Sequence, residues 1–338
     1  MTEALFLSSA DTAGLVEPAA FVDAVRSGYQ QRGEGAPAEP RTKLSSTDPS
    51  GILTTYAAVL PQTGVMGGYT YDAGFAAGDA WFITPLFDAQ TGEPLAVIDG
   101  AALNPFKTGA VGAVGTDILA QSDARVAGII GSGPQARGQL RALMTVRDLD
   151  IVRVFSPTAE HRKEFVSNMN DEVDAPVTII AVDTPREAVS GADIVVTATT
   201  AREPVFDGED LDPGAHVTAM GQYDANAREL DTTTIERATY VPDLRKRATQ
   251  DAGSFLAAVD AGVVDANHIH AELGTVLTGD APRPDKEEIT VFDSGGTGIE
   301  TVAGANLLYE AACETDVGTT IEFTPASTAF EYSNTSSQ

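Results

Sequence analysis

The sequence predicts an α/β fold built around a doubly wound parallel sheet, and two observations support that prediction. The first is a short apolar run, Val126–Ile130, which ends in a glycine-rich turn and is followed by apolar residues at helical spacing. The second is the alternation of strand-like and helical stretches that continues downstream, with strands expected at 151–155, 177–182, 194–197 and 217–220. Because repeated strand–helix units place their strands in parallel, helices should cover both faces of this sheet.

The turn after the first of these strands has the composition of a dinucleotide-binding loop. Gly131 permits the tight turn, Gly133 lets a pyrophosphate approach the backbone, and Ala136 lets the following helix pack closely on the strand. The first amides of that helix are unpaired and lie at the positive end of its dipole, so they can bind a diphosphate. The predicted cofactor loop comprises Gly131, Ser132, Gly133, Pro134, Gln135 and Ala136.

The chain carries a large excess of acidic side chains. Its 338 residues include 49 Asp and Glu against 21 Lys and Arg, which gives a formal net charge of −28. These acidic residues are spread from Glu3 to Glu331 rather than gathered in a tail, so the whole surface is expected to be acidic. Such a surface is typical of adaptation to molar salt, where counterions screen the self-repulsion of the compact state. It argues against nucleic acid as a partner.

Cysteine content and hydropathy limit the class of protein further. The single cysteine, Cys313, excludes an intramolecular disulfide framework and a multi-cysteine metal site, and no metal site is predicted. No window approaches the length of apolar sequence that spans a membrane. The N-terminus lacks the basic region and the apolar run of a signal peptide. We therefore expect a cytoplasmic protein without a membrane partner.

The residues before about position 115 predict a mixed α+β domain. Apolar residues recur on one helix face at 16–29, and strand patterns occur at 5–7, 52–60, 65–71, 80–87 and 95–99. A Gly- and Ala-rich helix at 104–119 should connect this part to the parallel sheet, and its small residues would allow close helix packing.

The end of the chain is expected to return to that first domain. A strand at 289–292, a glycine-rich turn at 293–300 and a helix at 301–312 precede a further strand that begins at Thr320. The tail from Ser333 is polar and is expected to be disordered.

Several motifs occur in an order that resembles the ornithine cyclodeaminase/mu-crystallin family. They are LFLSSAD, PRTKL, DAQTGEPLAVIDG, KTGA, GIIGSGPQA, GADIVVTATT and VFDSGGTGIE. Because they extend over nearly the whole chain, they are far more specific than the glycine-rich turn alone. The resemblance implies a homodimer in which a Rossmann domain, 116–313, binds NAD or NADP and is inserted into a discontinuous α+β dimerisation and substrate domain, 1–115 and 314–338.

For the substrate, the resemblance implies two carboxylate-binding cations. The first such arginine of the family matches Arg41, whose fork suits a bidentate carboxylate contact. The second falls on Lys107, which keeps the charge without the fork. Lys107 is expected at the beginning of a helix, where a cation opposes the dipole unless an anion compensates it. A salt bridge to a nearby aspartate is the alternative role for this lysine.

Two catalytic positions of the family are altered in this chain. Where the family has its catalytic lysine, the segment MGGYTYDAG places Gly68 or Tyr69, and a tyrosine can act as a proton donor. The position of the family's catalytic aspartate falls on Tyr223, and the carboxylate of Asp224 follows one residue later. Tyr69 and Asp224 are therefore the candidate catalytic residues, with a solvated loop carboxylate as the alternative for Asp224.

The residues after the strand at 151–155 predict which dinucleotide binds. An NAD enzyme usually places Asp or Glu there for the ribose 2′-hydroxyl, whereas this chain has Ser156 and Thr158, followed by the cation Arg162. Because no carboxylate would repel a 2′-phosphate, NADP is favoured over NAD. The remaining predicted cofactor contacts are Thr199, Gly221, Ser294, Gly295 and Thr297.

The resemblance leaves three hypotheses for function. The first is an NAD(P)-dependent oxidoreductase that transfers hydride at the α-carbon of a small amino or imino acid, as in alanine dehydrogenases and ketimine or pyrroline-carboxylate reductases. The second is ornithine cyclodeaminase, which converts ornithine to proline and ammonia. The third is a catalytically silent NADPH-binding protein like mu-crystallin.

Overall fold

The structure of the chain is a computed structural model that describes residues 2–76, 78–173 and 175–328. Within these segments lie two seven-stranded sheets, each covered by helices. The tail expected to be disordered, from Ser333, lies outside the described residues.

The N-terminal sheet contains the first six strands and the last strand of the described chain. Its strand order is β14-β1-β6-β5-β4-β3-β2, and only β1 and β6 pair in parallel. The end of the chain therefore does return to the first sheet, as expected. The strands are β1 (Thr2–Leu7), β2 (Thr42–Thr47), β3 (Ser50–Leu60), β4 (Val65–Ala73), β5 (Ala80–Asp88), β6 (Pro94–Asp99) and β14 (Thr319–Phe323).

The second sheet, which we call the parallel sheet, has all its strands in parallel in the order β12-β13-β11-β10-β7-β8-β9. The order reverses between β7 and β10, which is the switch point where such sheets bind ligands. This confirms the predicted Rossmann fold. The strands are β7 (Val126–Ile130), β8 (Ile151–Phe155), β9 (Thr178–Ala181), β10 (Ile194–Thr197), β11 (His216–Ala219), β12 (Ala238–Pro242) and β13 (Ile289–Asp293).

The helices join the two sheets as well as covering them. The helix α3 packs on α4 through glycines, because a Cβ at Gly109 would lie 2.3 Å from the Gly138 carbonyl oxygen. The predicted close packing of the small residues in α3 is thus confirmed. The helices are α1 (Ser9–Thr12), α2 (Pro18–Gly33), α3 (Gly100–Leu119), α4 (Pro134–Leu143), α5 (Ala159–Glu172), α6 (Pro185–Val189), α7 (Thr232–Arg237), α8 (Arg245–Asp251), α9 (Gly253–Asp260), α10 (Leu273–Thr278) and α11 (Gly298–Thr315).

The domain boundary expected at 313 assigns α11 to the Rossmann domain, although this helix packs on the N-terminal sheet. The helices α2, α3 and α11 share one apolar core with the N-terminal sheet, to which α11 contributes Ile299, Val302 and Leu308. We propose that the boundary of the Rossmann domain lies after β13 rather than at 313.

Three elements differ from the sequence-based expectation. The strand β2, which includes the last residues of PRTKL, was not predicted, because it is a polar edge strand with five of its six residues exposed and therefore has no apolar alternation. The strand β12 was not predicted either. It lies at one edge of the parallel sheet, and it is short and ends in Pro242. The helix α3 begins at Gly100 rather than Asn104, because Asp99 caps it by accepting a hydrogen bond from the Ala101 amide.

None of the helices in the described segments has the length and the apolar run that crossing a bilayer requires.

Candidate active site

A groove of about 610 Å³ lies at the carboxyl ends of β7, β8 and β10. Gly131 is held at φ +127°, and a Cβ there would lie 2.4 Å from the Ala198 carbonyl oxygen, so the turn requires glycine. A Cβ at Gly133 would meet nothing within 4 Å and would project into open space at the cavity wall. This is the free backbone approach that a diphosphate needs.

The amino end of α4 supplies the donors for such a diphosphate. Gly133 caps the helix and Pro134 occupies its first turn, where the missing amide of proline costs no hydrogen bond. The Oε1 atom of Gln135 is buried and has no hydrogen-bond partner among the described residues. Ala136 is fully buried against the sheet, in its predicted packing role. The cofactor loop therefore fits a dinucleotide.

A buried carboxylate ties two loops of the groove together. The side chain of Glu229 accepts hydrogen bonds from Thr197 Oγ1 at 3.0 Å, from the Thr199 amide at 2.7 Å and from the Gly221 amide at 2.8 Å. Burial raises its pKa, and the hydrogen bonds oppose that rise. The Glu229 carboxylate thus holds the backbone of Thr199, just after β10, and of Gly221, two predicted cofactor contacts.

Of the three cofactor contacts predicted after β8, only Ser156 lies in the groove. Ser156 lines the groove, and its hydroxyl accepts a hydrogen bond from Ser132 Oγ at 3.0 Å. The side chains of Thr158 and Arg162 are not part of the lining. Arg162 donates to the Ser156 carbonyl at 3.0 Å and pairs with Asp183, so its fork is engaged by the protein.

Two other basic side chains line this end of the groove in place of Arg162. They are His161 and Arg137, and Arg137 lies 3.8 Å from the carboxylate of Glu164. Arg137 could have been suspected from its position, because it follows Ala136 directly on the first turn of α4.

A second cavity of about 340 Å³ adjoins the groove, and the two share Gly133, Ala198, Thr199 and Thr200. The opposite walls come from the N-terminal sheet, from α3 and from the loop after β13. Of the predicted site residues, the lining includes Arg41, Tyr69, Lys107, Gln135, Thr199, Gly221, Ser294 and Gly295. The fold therefore brings the two predicted carboxylate-binding cations into one chamber beside the dinucleotide groove.

Lys107 lies in the middle of α3 rather than at its beginning, because the helix begins at Gly100. The dipole argument from the sequence is therefore wrong for this residue. Its side chain is 2% exposed, and its Nζ lies 3.8 Å from Glu300 Oε1, 3.5 Å from the Tyr56 hydroxyl and 4.9 Å from the centre of the Tyr69 ring. Burial lowers the pKa of Lys107, and the neighbouring Glu300 carboxylate opposes that effect.

Arg41 is buried just before β2, and part of its fork is bound by the protein. Its Nη2 donates to the carbonyls of Gly295 and Gly296, the latter at 3.1 Å. Its Nε lies 3.2 Å from Asp251 Oδ2 without hydrogen-bond alignment. The remaining nitrogen, Nη1, donates weakly to the Tyr71 hydroxyl at 3.4 Å. This nitrogen is the one available for a ligand.

Tyr69 lies in an aromatic wall beside Lys107. Its ring centre is 5.4 Å from those of Tyr56 and Phe82 and 5.7 Å from that of Tyr71. Its hydroxyl is buried without a hydrogen-bond partner among the described residues. Burial raises the pKa of Tyr69 well above its usual value, so the phenol stays protonated.

Asp224 is not brought into the cavity. Its carboxylate accepts a hydrogen bond from the Asn226 amide at 2.9 Å and lies 3.6 Å from Lys43 Nζ, and the Asn226 bond lowers its pKa. The preceding residue, Tyr223, lines the cavity instead, with its ring centre 4.4 Å from the Arg41 guanidinium carbon. Burial raises the pKa of Tyr223 to about 12. The geometry thus favours the solvated alternative for Asp224.

A buried ion cluster holds the loop after β13. Arg247 donates to Asp243 Oδ1 at 2.7 Å and to Asp293 Oδ1 at 2.6 Å, and the other oxygen of Asp243 accepts from Ser294 Oγ and the Gly295 amide, both at 3.0 Å. Ser294 and Gly295 line the second cavity, and their contact with the cofactor stays a prediction. Thr297 does not line this cavity, because it caps α11.

Sequence reasoning missed Tyr56 and the acids and arginine of this cluster. Tyr56 lies on an alternating strand, where nothing separates a cavity tyrosine from a core tyrosine. The cluster residues come from two separate segments, one with Asp243 and Arg247 and the other with Asp293, so no local motif reveals the whole cluster.

A Rossmann sheet with a glycine loop that opens onto a chamber with two buried cations defines an NAD(P)-dependent enzyme. The sequence profile described as the ornithine cyclodeaminase/mu-crystallin family matches residues 2–316. The chain belongs to this family, which confirms the resemblance, and it is an NAD(P)-dependent oxidoreductase of that family.

The chain is similar to enzymes of known class. It is 39% identical over 243 residues to a Delta(1)-pyrroline-2-carboxylate reductase of Bacillus cereus, a match covering 71% of this chain and 74% of the relative. A solved Delta(1)-pyrroline-2-carboxylate reductase of Thermococcus litoralis, in complex with NADH and L-proline, superposes with a TM-score of 0.88 at 32% identity, covering 93% of this chain and 99% of that one. An archaeal alanine dehydrogenase dimer with bound NAD gives a TM-score of 0.88 at 31% identity, covering 96% and 100%.

Proposed function

We propose that the protein reduces a small imino acid to the corresponding amino acid at the expense of NAD(P)H, or runs the reverse oxidation. The observation that carries this proposal is the pair of buried cations, Arg41 and Lys107, in a cavity that shares a wall with the dinucleotide groove. Each cation has a protein carboxylate on one side, Glu300 at 3.8 Å from Lys107 Nζ and Asp251 at 3.2 Å from Arg41 Nε, and both cations also line the cavity, where a substrate carboxylate would bind between them.

The remainder of the cavity suits the rest of such a substrate. Tyr56, Tyr69, Tyr71 and Phe82 form an aromatic wall that can contact a small ring or an alkyl group and can stabilise a protonated imine by cation–π attraction. A volume of about 340 Å³ limits the substrate to a small molecule. The relatives that act on pyrroline carboxylate or alanine, or that hold L-proline, favour a substrate of this size.

In this reaction the bound nicotinamide supplies the hydride that adds to the α-carbon. The chain's own task is to hold the carboxylate at Lys107 and the free nitrogen of Arg41, and to keep bulk water away with the aromatic wall. An imine that binds without its proton must gain one at nitrogen as the α-carbon accepts the hydride. The Tyr69 phenol lines the cavity and has no protein partner among the described residues, so it is the proton donor we propose.

A substrate screen tests this function. Oxo acids with ammonia and cyclic imino acids are offered with NADH or NADPH, and amino acids with the oxidised cofactors, all in molar KCl. We expect a change in nicotinamide absorbance with at least one small imino or amino acid. The absence of any change across the whole set would contradict the proposal.

Ornithine cyclodeamination ranks second. The position of the family lysine falls on Gly68 or Tyr69, and Asp224 lies outside the cavity beside Lys43. Release of ammonia from ornithine without a change in nicotinamide absorbance would favour this alternative.

We propose that NADPH binds more tightly than NADH, because Ser156 carries no charge and His161 and Arg137 line the same end of the groove. We expect Ser156→Asp to weaken the binding of NADPH by about tenfold or more, since a carboxylate repels a 2′-phosphate. Thr158→Asp, two residues away and outside the lining, is the matched control. Both dinucleotides are titrated by fluorescence. If the wild type bound NADH as tightly as NADPH, the assignment would be wrong.

We further propose a cytoplasmic homodimer adapted to high salt. The outer face of the N-terminal sheet exposes Leu44, Leu53, Trp81 and Ile83, at 61%, 44%, 55% and 54%. The strand register places Leu44, Leu53, Asp72 and Trp81 in one row across β2 to β5, so three of the four residues in the row are apolar. A second copy packed on this face would bury the row, in line with the dimeric alanine dehydrogenase.

We expect both the dimer and the melting temperature to depend strongly on salt. Each subunit carries a net charge of −28, whose repulsion within and between subunits is screened by counterions. Mass measurements by light scattering and thermal melts are made across a KCl series. A neutral osmolyte at the same osmolality is the control for effects other than screening. A melting temperature and a mass that do not change with KCl would show that the acidity is not adaptive.

A further inference from the structure

The carboxylate of Glu300 makes more contacts than a helix cap needs. It is the third residue of α11 and is fully buried. Its Oε1 accepts from the Thr297 amide, and its Oε2 accepts from Thr297 Oγ1 at 2.5 Å and from the Tyr29 hydroxyl at 3.1 Å. Its Oε1 also lies 3.8 Å from Lys107 Nζ. The residue is both the acidic half of a capping box and the ion-pair partner of the cavity lysine.

Capping alone does not account for this placement. The helix α6 has the same capping box, in which Thr184 and Glu187 exchange the equivalent bonds, yet Glu187 is exposed and its carboxylate contacts no cation within the part of the chain that the structure describes. A capping box works with Glu or Gln, so it requires no charge. A charged carboxylate buried at α11 therefore has another role, and the buried cation beside it indicates what that role is.

The groups around Lys107 show what would happen without this acid. Arg41 faces it with like charge, and Tyr56 and Tyr69 face it as neutral phenols from β3 and β4. Across residues 2–76, 78–173 and 175–328, Glu300 is the carboxylate within 4.0 Å of Nζ. Burial and Arg41 both lower the pKa of Lys107, and Glu300 acts against them.

We propose that Glu300 is a positioning residue that keeps Lys107 protonated and fixed at the cavity wall, and that couples the lysine to the loop Gly295–Thr297. The same carboxylate anchors the end of this loop through Thr297, and the loop carbonyls bind Arg41. One acid thus sets the positions of both cations. The inference rests on the proposed function only where it assigns the cations to a substrate carboxylate.

The test compares Glu300→Gln with Glu187→Gln. Glutamine preserves both capping boxes, so both variants should fold. Only Glu300→Gln removes the negative charge that lies beside Lys107. The chain has five lysines, so labelling with [¹³Cε]lysine gives five signals, and Lys107→Met identifies that of Lys107. We expect Glu300→Gln to move the titration of this signal to lower pH by about one unit or more, and Glu187→Gln to leave it unchanged.

The kinetics should follow the titration. The alkaline fall of kcat/KM for the imino acid should move to lower pH by the same interval in Glu300→Gln, which is about a tenfold loss at a fixed alkaline pH. An unchanged Lys107 titration would overturn the proposal, and so would a shifted titration with an unmoved kinetic profile. If no imino acid were turned over, the proposed function would fail, whereas the NMR titration would still decide whether Glu300 controls Lys107.

Discussion

Replacement of Lys107 by methionine is expected to raise the KM for the amino or imino acid by about two to three orders of magnitude. The ammonium is 2% exposed and faces the cavity, so its loss removes a desolvated partner of the substrate carboxylate, worth about 3–5 kcal/mol. Lys107→Arg should retain much of the affinity, because the family resemblance places an arginine there.

The matched control for Lys107 is Lys43→Met. That lysine pairs with Asp224 at 3.6 Å outside the cavity and is partly exposed, so its loss should cost at most about 1 kcal/mol. Steady-state kinetics at saturating cofactor measure both variants, and cofactor titration shows that each still folds. An unchanged KM in Lys107→Met, with cofactor binding intact, would remove Lys107 from the substrate site.

The pH dependence of substrate binding should report the same lysine. Burial lowers the pKa of Lys107 below the value of an exposed lysine, so the ammonium deprotonates at a lower pH than usual. A carboxylate binds the protonated form, so affinity should be complete below this pKa and should fall as the pH rises through it. The fall of 1/KM at alkaline pH measures the effect. Lys107→Arg is the control, because arginine stays protonated and 1/KM should not fall there.

Tyr69→Phe is expected to lower kcat by about two orders of magnitude with little change in KM. Removing a proton donor of this kind typically costs about 10²–10⁴-fold, while the ring continues to fill its place in the aromatic wall. The matched control is Tyr240→Phe, a phenol that is also fully buried without a hydrogen-bond partner among the described residues but lies outside the cavity. Equal kcat values for Tyr69→Phe and the wild type would assign the proton to another donor.

The sequence predicts those parts of the fold that a local pattern encodes. Strands β7 and β10 are nearly continuous apolar runs because both of their faces are covered by helices, and such runs are visible without the structure. The edge strand β2 is polar and exposed, so its pairing depends on β3 and cannot be seen in its own composition. The helix α3 was predicted to begin at Asn104, but Asp99 caps it and it begins at Gly100.

The site, like the fold, has parts that local motifs predict and parts that they do not. The glycine loop, Arg41 and Lys107 could be placed from motifs, and the structure brings them together. The direction in which Arg162 and Asp224 point could not be predicted, because each is turned from the cavity by a partner distant in sequence, Asp183 and Lys43.

The supporting acids of the site are harder still to predict. Glu229 and Glu300 act through backbone amides and a lysine that only tertiary structure brings to them.

The central claim is that the cavity presents the α-carbon of an amino or imino acid to the nicotinamide. The most direct measurement uses NAD(P)H deuterated at C4 of the nicotinamide, on each face in turn, with the imino acid that the screen identifies. The product is examined by NMR and mass spectrometry. We predict one deuterium, from one face only, bonded to the α-carbon of the amino acid. A product that lacks deuterium with both labelled cofactors, or that carries deuterium at another carbon, would contradict the account.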